Sequence, residues 1–369
     1  MPKTLGPLII GDREIPIPIV QGGMGVQVST AALAGAVAEC GAVGTIAGVG
    51  LGYGTEENDT DYPSASRRAL QEEIRKAKAM TKGFVGVNLL GALSNFDDLA
   101  RTAAASGADF IASGAGLPLC LPALTEGFRT LLLPIVSSAR AAAIIIKAWK
   151  KRYGRIPDGF IVEGPLAGGH LGFKPEELRP PRPGRLEADV LEVLAVTRDC
   201  ERETGARVPV IAAGGIFDGK DAARFFAMGA RGVQIATRLV ATVECSVAQA
   251  FKELYLKARP EDLVIIESPV GMPGRAIRTR LVDRVLAGER VPFKCGYQCL
   301  RTCSPATAPY CIAQAMFNAV AGALDNAVVF AGHNVSRVQE IVPVRQVLEC
   351  MVREARQALH GLSEAPHAV

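Results

Sequence analysis

Short apolar runs rich in valine and isoleucine recur along the chain, and each is followed by a stretch with helical periodicity. Runs that are apolar on both faces are typical of parallel strands covered by helices. Eight such units over about 240 residues match the usual size of a (β/α)8 TIM barrel, an α/β fold. The predicted strands are Ile17–Gln21, Ala42–Ala47, Gly83–Leu89, Ala108–Ser113, Leu131–Val136, Gly159–Glu163, Val208–Ala213 and Arg231–Ala236.

The helices between these strands are predicted from apolar positions that recur at intervals of three and four residues. A doubly wound open sheet is the competing topology. The count of eight units favours the barrel, as does the absence of a G-x-G-x-x-G motif after the first strand. The predicted helices are Thr30–Cys40, Ser66–Lys82, Phe96–Ser106, Leu121–Gly127, Ala139–Lys151, Arg185–Thr204, Gly219–Met228 and Leu239–Ala258.

The alternation of strands and helices stops near residue 260. We therefore expect residues 1–260 to form the barrel, residues 261–340 a cap or lid over its mouth, and residues 341–369 a C-terminal helix that returns to the barrel. Within this last part, Val264–Arg280 holds several prolines and glycines and is predicted to be a loop-rich crossing. Two apolar-periodic stretches, Ile312–Leu324 and Val342–Leu359, are predicted helices.

Composition and charge exclude several classes of function. The 369 residues are 49% hydrophobic, which supports a large core, and the net charge of +4 is spread without a long run of like charges. This distribution argues against a nucleic-acid groove or a membrane-binding patch. Neither a membrane span nor a signal-peptide pattern occurs, so a cytoplasmic enzyme is expected. Nine cysteines then indicate reduced thiols or a metal site rather than disulfides.

Two glycine-bearing segments mark the ends of the last two predicted strands. Gly214 and Gly215 follow the seventh strand, and the eighth strand begins at Gly232 and ends before Thr237. In a TIM barrel the site lies at the carboxyl ends of the strands, and phosphate groups are bound by backbone N–H groups after the last two of them. The pair predicts a phosphate site, which a flavin, a nucleotide or a sugar phosphate could occupy.

One of the four histidines lies on a glycine-rich turn after the sixth predicted strand. The turn reads Glu163-Gly-Pro-Leu-Ala-Gly-Gly-His170-Leu-Gly172. Because imidazole transfers protons near neutral pH and such a turn offers little core packing, His170 is predicted to be catalytic rather than structural. Glu163 could orient a histidine or a ribityl hydroxyl group, or it could be a solvated carboxylate.

The predicted cap holds four cysteines within seventeen residues, in the pattern Cys295-x3-Cys299-x3-Cys303-x7-Cys311. Four soft ligands allow a metal ion or an iron–sulfur cluster. However, the spacing matches neither the usual zinc pair nor the ferredoxin run, and small packed thiols are the alternative. Whether this segment binds a metal stays open at this point.

Six short motifs occur in order along the chain and together carry a family resemblance. They resemble the nitronate monooxygenase (2-nitropropane dioxygenase-like) family, which is related to the FMN-dependent enoyl-acyl carrier protein reductases. The resemblance covers Pro16 to Val352. The motifs are Gln21-Gly-Gly-Met-Gly25, Gly86-Val-Asn-Leu89, Ala167-Gly-Gly-His170, Ala213-Gly-Gly-Ile216, Gly232-Val-Gln234 with Thr237-Arg238, and Ala331-Gly-His-Asn334.

The resemblance implies FMN as the cofactor and assigns a role to several residues. His170 would face the substrate. His333 departs from the family pattern, because it stands where the family usually has Gly-Gln-Gly. Residues implied to hold the FMN phosphate are Gly214, Gly215, Gln234 and Thr237, and those implied near the ring are Gly23, Met24 and Asn88. Gly169 is also implied to bind the cofactor.

The implied reaction is oxidation of alkyl nitronates with O2 to a carbonyl compound and nitrite. The main alternative is an NAD(P)H-dependent FMN reductase that acts on an enoyl thioester or a quinone. Two further alternatives are a sugar-phosphate isomerase or lyase on the same barrel, and a flavin-binding sensor that works through the cysteine segment. The expected partners are a small-molecule substrate and O2 or NAD(P)H, with a homodimer as one option and no nucleic acid or membrane.

Overall fold

The eight predicted apolar runs form a closed parallel barrel in the computed structural model, which describes residues 5–179, 184–296 and 298–364. The chain begins with two short strands, β1 (Leu8–Ile10) and β2 (Arg13–Ile15), which pair as an antiparallel hairpin. A two-residue strand, β9 (Gly169–His170), lies outside the barrel. The barrel strands are β3 (Ile19–Gln21), β4 (Val43–Ala47), β5 (Phe84–Leu90), β6 (Phe110–Gly114), β7 (Leu131–Val136), β8 (Phe160–Glu163), β10 (Val210–Ala213) and β11 (Gly232–Ile235).

Hydrogen bonding closes the barrel without an edge. Strands β3 to β8 follow in sequence order, β10 pairs with both β8 and β11, and β11 pairs with β3. In the closing contact, Val233 lies opposite Ile19 and Ile235 lies opposite Gln21. The TIM-barrel prediction is confirmed, and the open doubly wound sheet is excluded.

Helices cover the outside of the barrel where the apolar periodicity predicts them, with one clear exception. The predicted helix Leu239–Ala258 is wrong, because it is two helices separated by residues 241–248. The Val243 N–H donates to the Val342 carbonyl at 3.1 Å, and the Lys252 ammonium donates to the Thr242 carbonyl at 2.6 Å. These bonds to distant or side-chain groups replace the helical ones over the interruption.

The helix bounds in the structure are as follows. The first seven are α1 (Ala31–Glu39), α2 (Glu56–Thr60), α3 (Tyr62–Met80), α4 (Phe96–Ala105), α5 (Leu121–Leu124), α6 (Ala139–Tyr153) and α7 (Pro175–Leu178). The next seven are α8 (Arg185–Thr204), α9 (Gly219–Met228), α10 (Thr237–Val240), α11 (Gln249–Lys257), α12 (Arg280–Leu286), α13 (Ile312–Val320) and α14 (Val344–Glu364). Short 3-10 helices occupy Pro260–Asp262, Leu324–Asn326 and Val335–Arg337.

The β1–β2 hairpin closes the amino end of the barrel. Leu8, Ile10 and Ile15 are buried in a cluster that includes Phe84 and Phe110, the first residues of β5 and β6. Strands of three residues are too short for a periodic pattern, so the sequence did not indicate this hairpin. With this end filled by side chains, a ligand site must lie at the carboxyl ends of the strands.

The segment Val264–Arg280 was predicted to be a loop-rich crossing, and that prediction is wrong. It contains the antiparallel strands β12 (Leu263–Glu267) and β13 (Pro273–Ile277), and β13 also pairs with β14 (Val329–Phe330) and with β9. Proline is tolerated at the first residue of a strand, which is the position of Pro273. Pro269 and Gly271 lie in the turn between β12 and β13, and Gly274 lies within β13.

Two further contacts tie the C-terminal part to the barrel. The Ser94 N–H, after β5, donates to the Cys299 carbonyl at 3.0 Å, so the cysteine segment reaches the barrel mouth. Helix α14 packs along α9, where the Gly219 N–H donates to Glu354 at 2.9 Å. Within the described residues, no helix is both long enough and apolar enough to cross a bilayer.

Candidate active site

Two adjoining cavities open at the carboxyl ends of the barrel strands. The larger has a volume of about 360 Å³ and the smaller about 70 Å³. Glu163, Gly168, Gln234, Ala236 and Thr237 line both cavities. A ligand with a broad end and a compact end can therefore extend from one cavity into the other.

The smaller cavity is shaped by the turn after β10. Gly214 and Gly215 have φ angles of +97° and +80°, a backbone conformation that L-residues with side chains rarely adopt. A Cβ atom at Gly214 would lie 3.0 Å from the Gly164 carbonyl oxygen. The Asn334 side chain donates to the Gly215 carbonyl at 2.7 Å and thereby fixes the orientation of that peptide group. The turn is therefore held open for a compact group.

Thr237 adds a hydroxyl donor to the smaller cavity. Its Oγ1 accepts the Gly332 N–H at 2.9 Å, so the hydroxyl proton can be donated to another acceptor. His333 lines the same cavity and not the larger one. Burial, and then the nearby Arg275, lowers the pKa of His333. This set of amide, hydroxyl and imidazole groups suits an anionic oxygen-rich group such as a phosphate.

The loop after β3 forms part of the wall of the larger cavity. Gln21 is fully buried and donates both to Ser29 Oγ and to the Thr45 carbonyl, each at 3.0 Å. Ser29 Oγ in turn accepts the Met24 N–H at 3.0 Å, which sets the path of the loop. A Cβ atom at Gly23 would lie 2.3 Å from Asn88 Cβ, so only glycine allows this approach.

His170 lies on β9 and lines the larger cavity. Its Nε2 atom is 2.8 Å from Ser268 Oγ, and its ring meets the edge of Phe330 with centroids 4.8 Å apart. Burial lowers the pKa of His170 from 6.5 to about 4. The imidazole is therefore neutral at pH 7 and can accept a proton.

Arg275 on β13 supports the loop that carries His170. Its side chain is 3% exposed, and its Nη1 atom donates to the Pro165 and Ala167 carbonyls at 2.5 and 2.7 Å. Burial lowers the pKa of Arg275 to about 10, so the guanidinium stays charged at neutral pH. These bonds connect the β12–β13 hairpin to the loop between β8 and β9, which leads to His170.

Glu163 ends β8 and lines both cavities. Burial raises the pKa of its carboxyl group from 4.5 to about 7. At neutral pH a large fraction of Glu163 is therefore protonated and can donate a hydrogen bond to a bound ligand.

The cap side of the larger cavity is mainly apolar. Among the described residues that line this cavity, neither lysine nor arginine occurs. The cavity therefore selects a ligand through apolar contacts and a few neutral polar groups. Lining residues from the cap and the neighbouring loops include Tyr53, Leu93, Met272, Leu300, Met316 and Phe330.

The cysteine segment lies beside this cavity as free thiols. Cys299 lines the cavity wall, and burial, followed by the nearby Cys311, Cys295 and Cys303, raises the pKa of its thiol to about 12. In the part of the chain that the structure describes, no group of three or more His, Cys, Asp or Glu side chains is placed to hold a metal ion.

The structure brings all nine predicted site residues to these two cavities. It also adds Ser268, Arg275 and Phe330, which the sequence analysis missed. The partners of Ser268 and Arg275 are about a hundred residues or more away along the chain, so no local pattern marks these two side chains. Residues that line the larger cavity are Gly23, Met24, Asn88, Gly169 and His170; Gly214 and Gly215 line the smaller; Gln234 and Thr237 line both.

Comparison with known proteins identifies related sequences and folds. The family model described as nitronate monooxygenase matches residues 7–112 and 99–354. Over 273 residues the chain is 30% identical to the (3aS,4S,5R,7aS)-5-hydroxy-7a-methyl-1-oxo-octahydro-1H-indene-4-carboxyl-CoA dehydrogenase of Mycobacterium tuberculosis, a match that covers 74% of this chain and 66% of that protein.

One further curated protein and one solved structure are similar to this chain. A nitronate monooxygenase of Paraburkholderia phytofirmans is 37% identical over 100 residues, which cover 27% of this chain and 24% of that protein. The solved structure of FabK from Thermotoga maritima is 27% identical, with a TM-score of 0.74, and the match covers 95% of this chain and 96% of FabK. The chain thus spans less than two thirds of the length of the curated relatives it matches.

Proposed function

This chain belongs to the nitronate monooxygenase family, and from that premise we propose that it is an FMN-dependent enzyme that oxidises alkyl nitronates. The products would be a carbonyl compound and nitrite, with O2 as the second substrate. The observation that supports this proposal best is a neutral histidine, His170, in a cavity that continues into a two-glycine turn.

The residues present fit FMN. Gly214, Gly215 and Thr237 would hold its phosphate in the smaller cavity, since a Cβ atom on either glycine would crowd that cradle. Gly23, Met24 and Asn88 would line the ring system, and Gly169 and Gln234 complete the proposed set. When bound, FMN supplies the electron transfer of the reaction.

The protein's own groups would position the substrate and handle its proton. Neutral His170 can accept the α-proton of a nitroalkane. The apolar cap wall would exclude water and leave space for the alkyl group. Glu163, protonated in part at neutral pH, can donate a hydrogen bond to the ligand.

Anaerobic mixing of the purified holoprotein with ethyl nitronate or propyl-2-nitronate tests this proposal. We expect the visible absorbance of the flavin to bleach, and admission of O2 to restore it with release of nitrite. His170→Gln is expected to slow bleaching of the flavin by the neutral nitroalkane by about a hundredfold. A yellow protein whose absorbance does not respond to either nitronate would refute nitronate oxidation.

A second candidate is an NAD(P)H-dependent flavin reductase that acts on an enoyl thioester or a quinone. Specific support comes from the larger cavity, in which no described lining residue is a lysine or arginine that could pair with a nitronate anion. The relative from Mycobacterium tuberculosis is named for a carboxyl-CoA substrate. Flavin reduction within milliseconds by NADH or NADPH, in a protein that nitronates do not bleach, would favour this candidate.

A further inference from the structure

A short segment of the cap forms one wall of the smaller cavity. This strap (residues 332–337) follows β14 and ends in the 3-10 helix Val335–Arg337, and its first three residues line the cavity. It lies so close to the loop after β8 that a Cβ atom at Gly168 would be 2.6 Å from the Gly332 nitrogen. The strap therefore covers the space proposed for the FMN phosphate.

The first half of the strap is bonded to three barrel loops. The Gly332 N–H donates to Thr237 Oγ1 at 2.9 Å, and the His333 N–H donates to a backbone carbonyl of the loop after β8 at 3.0 Å. The Asn334 side chain donates to the Gly215 carbonyl at 2.7 Å. The strap thus joins the loops after β8, β10 and β11, which also line the smaller cavity.

Arg337 holds the far end of the strap against the turn after β10. Its guanidinium donates to Asp221 at 2.8 Å and also pairs with Asp218, the N-cap of α9. The guanidinium carbon lies 4.4 Å from the ring centroid of Phe217, which lines the smaller cavity. Arg238 contacts the same ring at 5.0 Å and donates to the Phe217 carbonyl at 3.1 Å. An aromatic ring and two carboxylates thus bind the Arg337 side chain.

The contacts of Arg337 reach the two-glycine turn through the backbone. The Asp221 carboxylate accepts the Phe217 N–H at 3.1 Å, and Phe217 follows Gly215 by two residues. The side chains of Asp218 and Asp221 are 21% and 18% exposed. Because these carboxylates are partly shielded from solvent and share one guanidinium, their ion pairs are worth more than isolated surface pairs.

We propose that Arg337 is a positioning residue that holds the strap closed over the phosphate group of FMN and thereby slows release of the cofactor. Arg337 is not among the described residues that line either cavity, so it would act through Phe217 and the strap rather than by touching the ligand. This inference rests on the FMN binding contained in the proposed function.

The test is the rate of flavin release from the diluted holoprotein, with free and bound FMN separated by rapid desalting at set times. Arg337→Met keeps an unbranched side chain and removes the charge, so FMN release should become about tenfold faster. Arg337→Lys keeps a charge but cannot bind two carboxylates with a planar fork, so its rate should be intermediate. Riboflavin lacks the phosphate, and its release from the reconstituted protein should change little in both variants.

Arg224→Met is the matched control. Arg224 also pairs with Asp221, at 3.3 Å, and its guanidinium carbon lies 5.9 Å from the ring centroid of Phe225. However, Arg224 and Phe225 belong to α9, and neither is among the described residues that line the smaller cavity. This variant should release FMN at the wild-type rate.

Amide hydrogen exchange of the apoprotein tests the strap without a ligand. The Arg337 and Val338 N–H groups donate to carbonyls of the strap at 3.0 and 2.9 Å. In a peptide that covers residues 332–338, mass spectrometry should show about tenfold faster exchange in Arg337→Met than in the wild-type protein or in Arg224→Met.

The outcomes separate this inference from the proposed function. Wild-type rates of FMN release in Arg337→Met, unchanged exchange of the strap, or equal acceleration of FMN and riboflavin release would each overturn the inference. If nitronates are oxidised but Arg337→Met releases FMN normally, the proposed function stands and the role of Arg337 fails. If FMN release accelerates as expected but nitronates are not oxidised, the proposed reaction fails and the role of Arg337 stands.

Discussion

Burial, rather than a partner charge, sets the protonation of the two ionisable groups closest to the proposed chemistry. His170 has its pKa lowered to about 4, and Glu163 has its pKa raised to about 7, each by desolvation. Both shifts favour the neutral form. At pH 6 the larger cavity therefore contains a neutral base and a mostly neutral acid.

The pH profile follows from these directions. The basic form of His170 is present above pH 4 and is lost as the pH falls through about 4, whereas Glu163 loses its proton as the pH rises through about 7. We expect kcat/KM for a nitroalkane to decline only below about pH 5 on the acid side and to change again near pH 7. Glu163→Gln should remove the change near pH 7 and leave the acid limb in place.

An acid limb at pH 6.5 that persists in Glu163→Gln would contradict the lowered pKa of His170. The measurement is a kcat/KM profile of both proteins between about pH 4 and pH 9.

Gly215→Ala tests the phosphate cradle. At a φ of +80° alanine is strained, and its Cβ would lie 3.0 Å from Leu166, so about 1–2 kcal/mol of stability should be lost. FMN binding should weaken by about tenfold, or about 1.4 kcal/mol. The control is Gly205→Ala, at a φ of +73° after α8 with no atom near its Cβ.

Fluorescence titration of FMN into the apoprotein and thermal unfolding measure both effects. Gly205→Ala should lose stability through its backbone alone and keep the wild-type affinity for FMN. Equal affinities in the two variants would argue against a ligand group at the Gly214–Gly215 turn.

Single residues were predictable from sequence where the chain itself brings them together. Gly214, Gly215 and Thr237 follow the ends of adjacent strands, so a barrel necessarily places them side by side. Ser268 contacts His170 from a distant position along the chain, and no local pattern marks such a serine as the partner of a histidine. Long-range pairing of this kind needs coordinates.

At the scale of elements, the strands and helices that bury a regular apolar pattern were predicted closely. Leu131–Val136 and Arg185–Thr204 have the same bounds in sequence and structure. The errors lie where tertiary hydrogen bonds outweigh the local pattern. Strand β13 begins with Pro273 and pairs on both sides, and the predicted helix Leu239–Ala258 is interrupted by its bond to Val342.

Arg275 couples two elements, the cap hairpin and the loop after β8. Arg275→Met would leave the carbonyls of Pro165 and Ala167 without this donor and is expected to destabilise the protein by about 2–4 kcal/mol. Arg278→Met is the control, because the Arg278 side chain forms an exposed ion pair with Asp283 and its replacement should cost less than about 1 kcal/mol.

Urea unfolding of these two variants gives the comparison. Similar midpoints for Arg275→Met and Arg278→Met would show that the Arg275 guanidinium does not stabilise the loop between β8 and β9.

At the scale of the whole molecule, we propose that the C-terminal helix is part of the barrel's folding unit rather than a separate appendage. Met351 of α14 is fully buried, and its carbonyl oxygen would lie 2.2 Å from a Cβ atom at Gly219 of α9. This close approach joins helix α14 to helix α9 of the barrel.

Met351→Ala tests whether α14 and the barrel unfold together. It is expected to cost about 2–4 kcal/mol and to lower the unfolding midpoint of the whole molecule in one transition. The exposed Arg356→Ala on the same helix should change stability by less than about 0.5 kcal/mol. Flavin fluorescence and circular dichroism should give coincident curves; an early transition seen by circular dichroism alone would indicate an independent helix.

The pairing of β9 with β13 affects when His170 can act on a substrate. His170 is held by the same hairpin that covers the mouth, so lifting that hairpin to exchange ligands would also detach Ser268 from the imidazole. His170, the proposed general base, would thus lose its contact with Ser268 while the larger cavity is open and regain it on closure. Proton abstraction by His170 would then occur only while the closed β12–β13 hairpin keeps solvent out of the cavity.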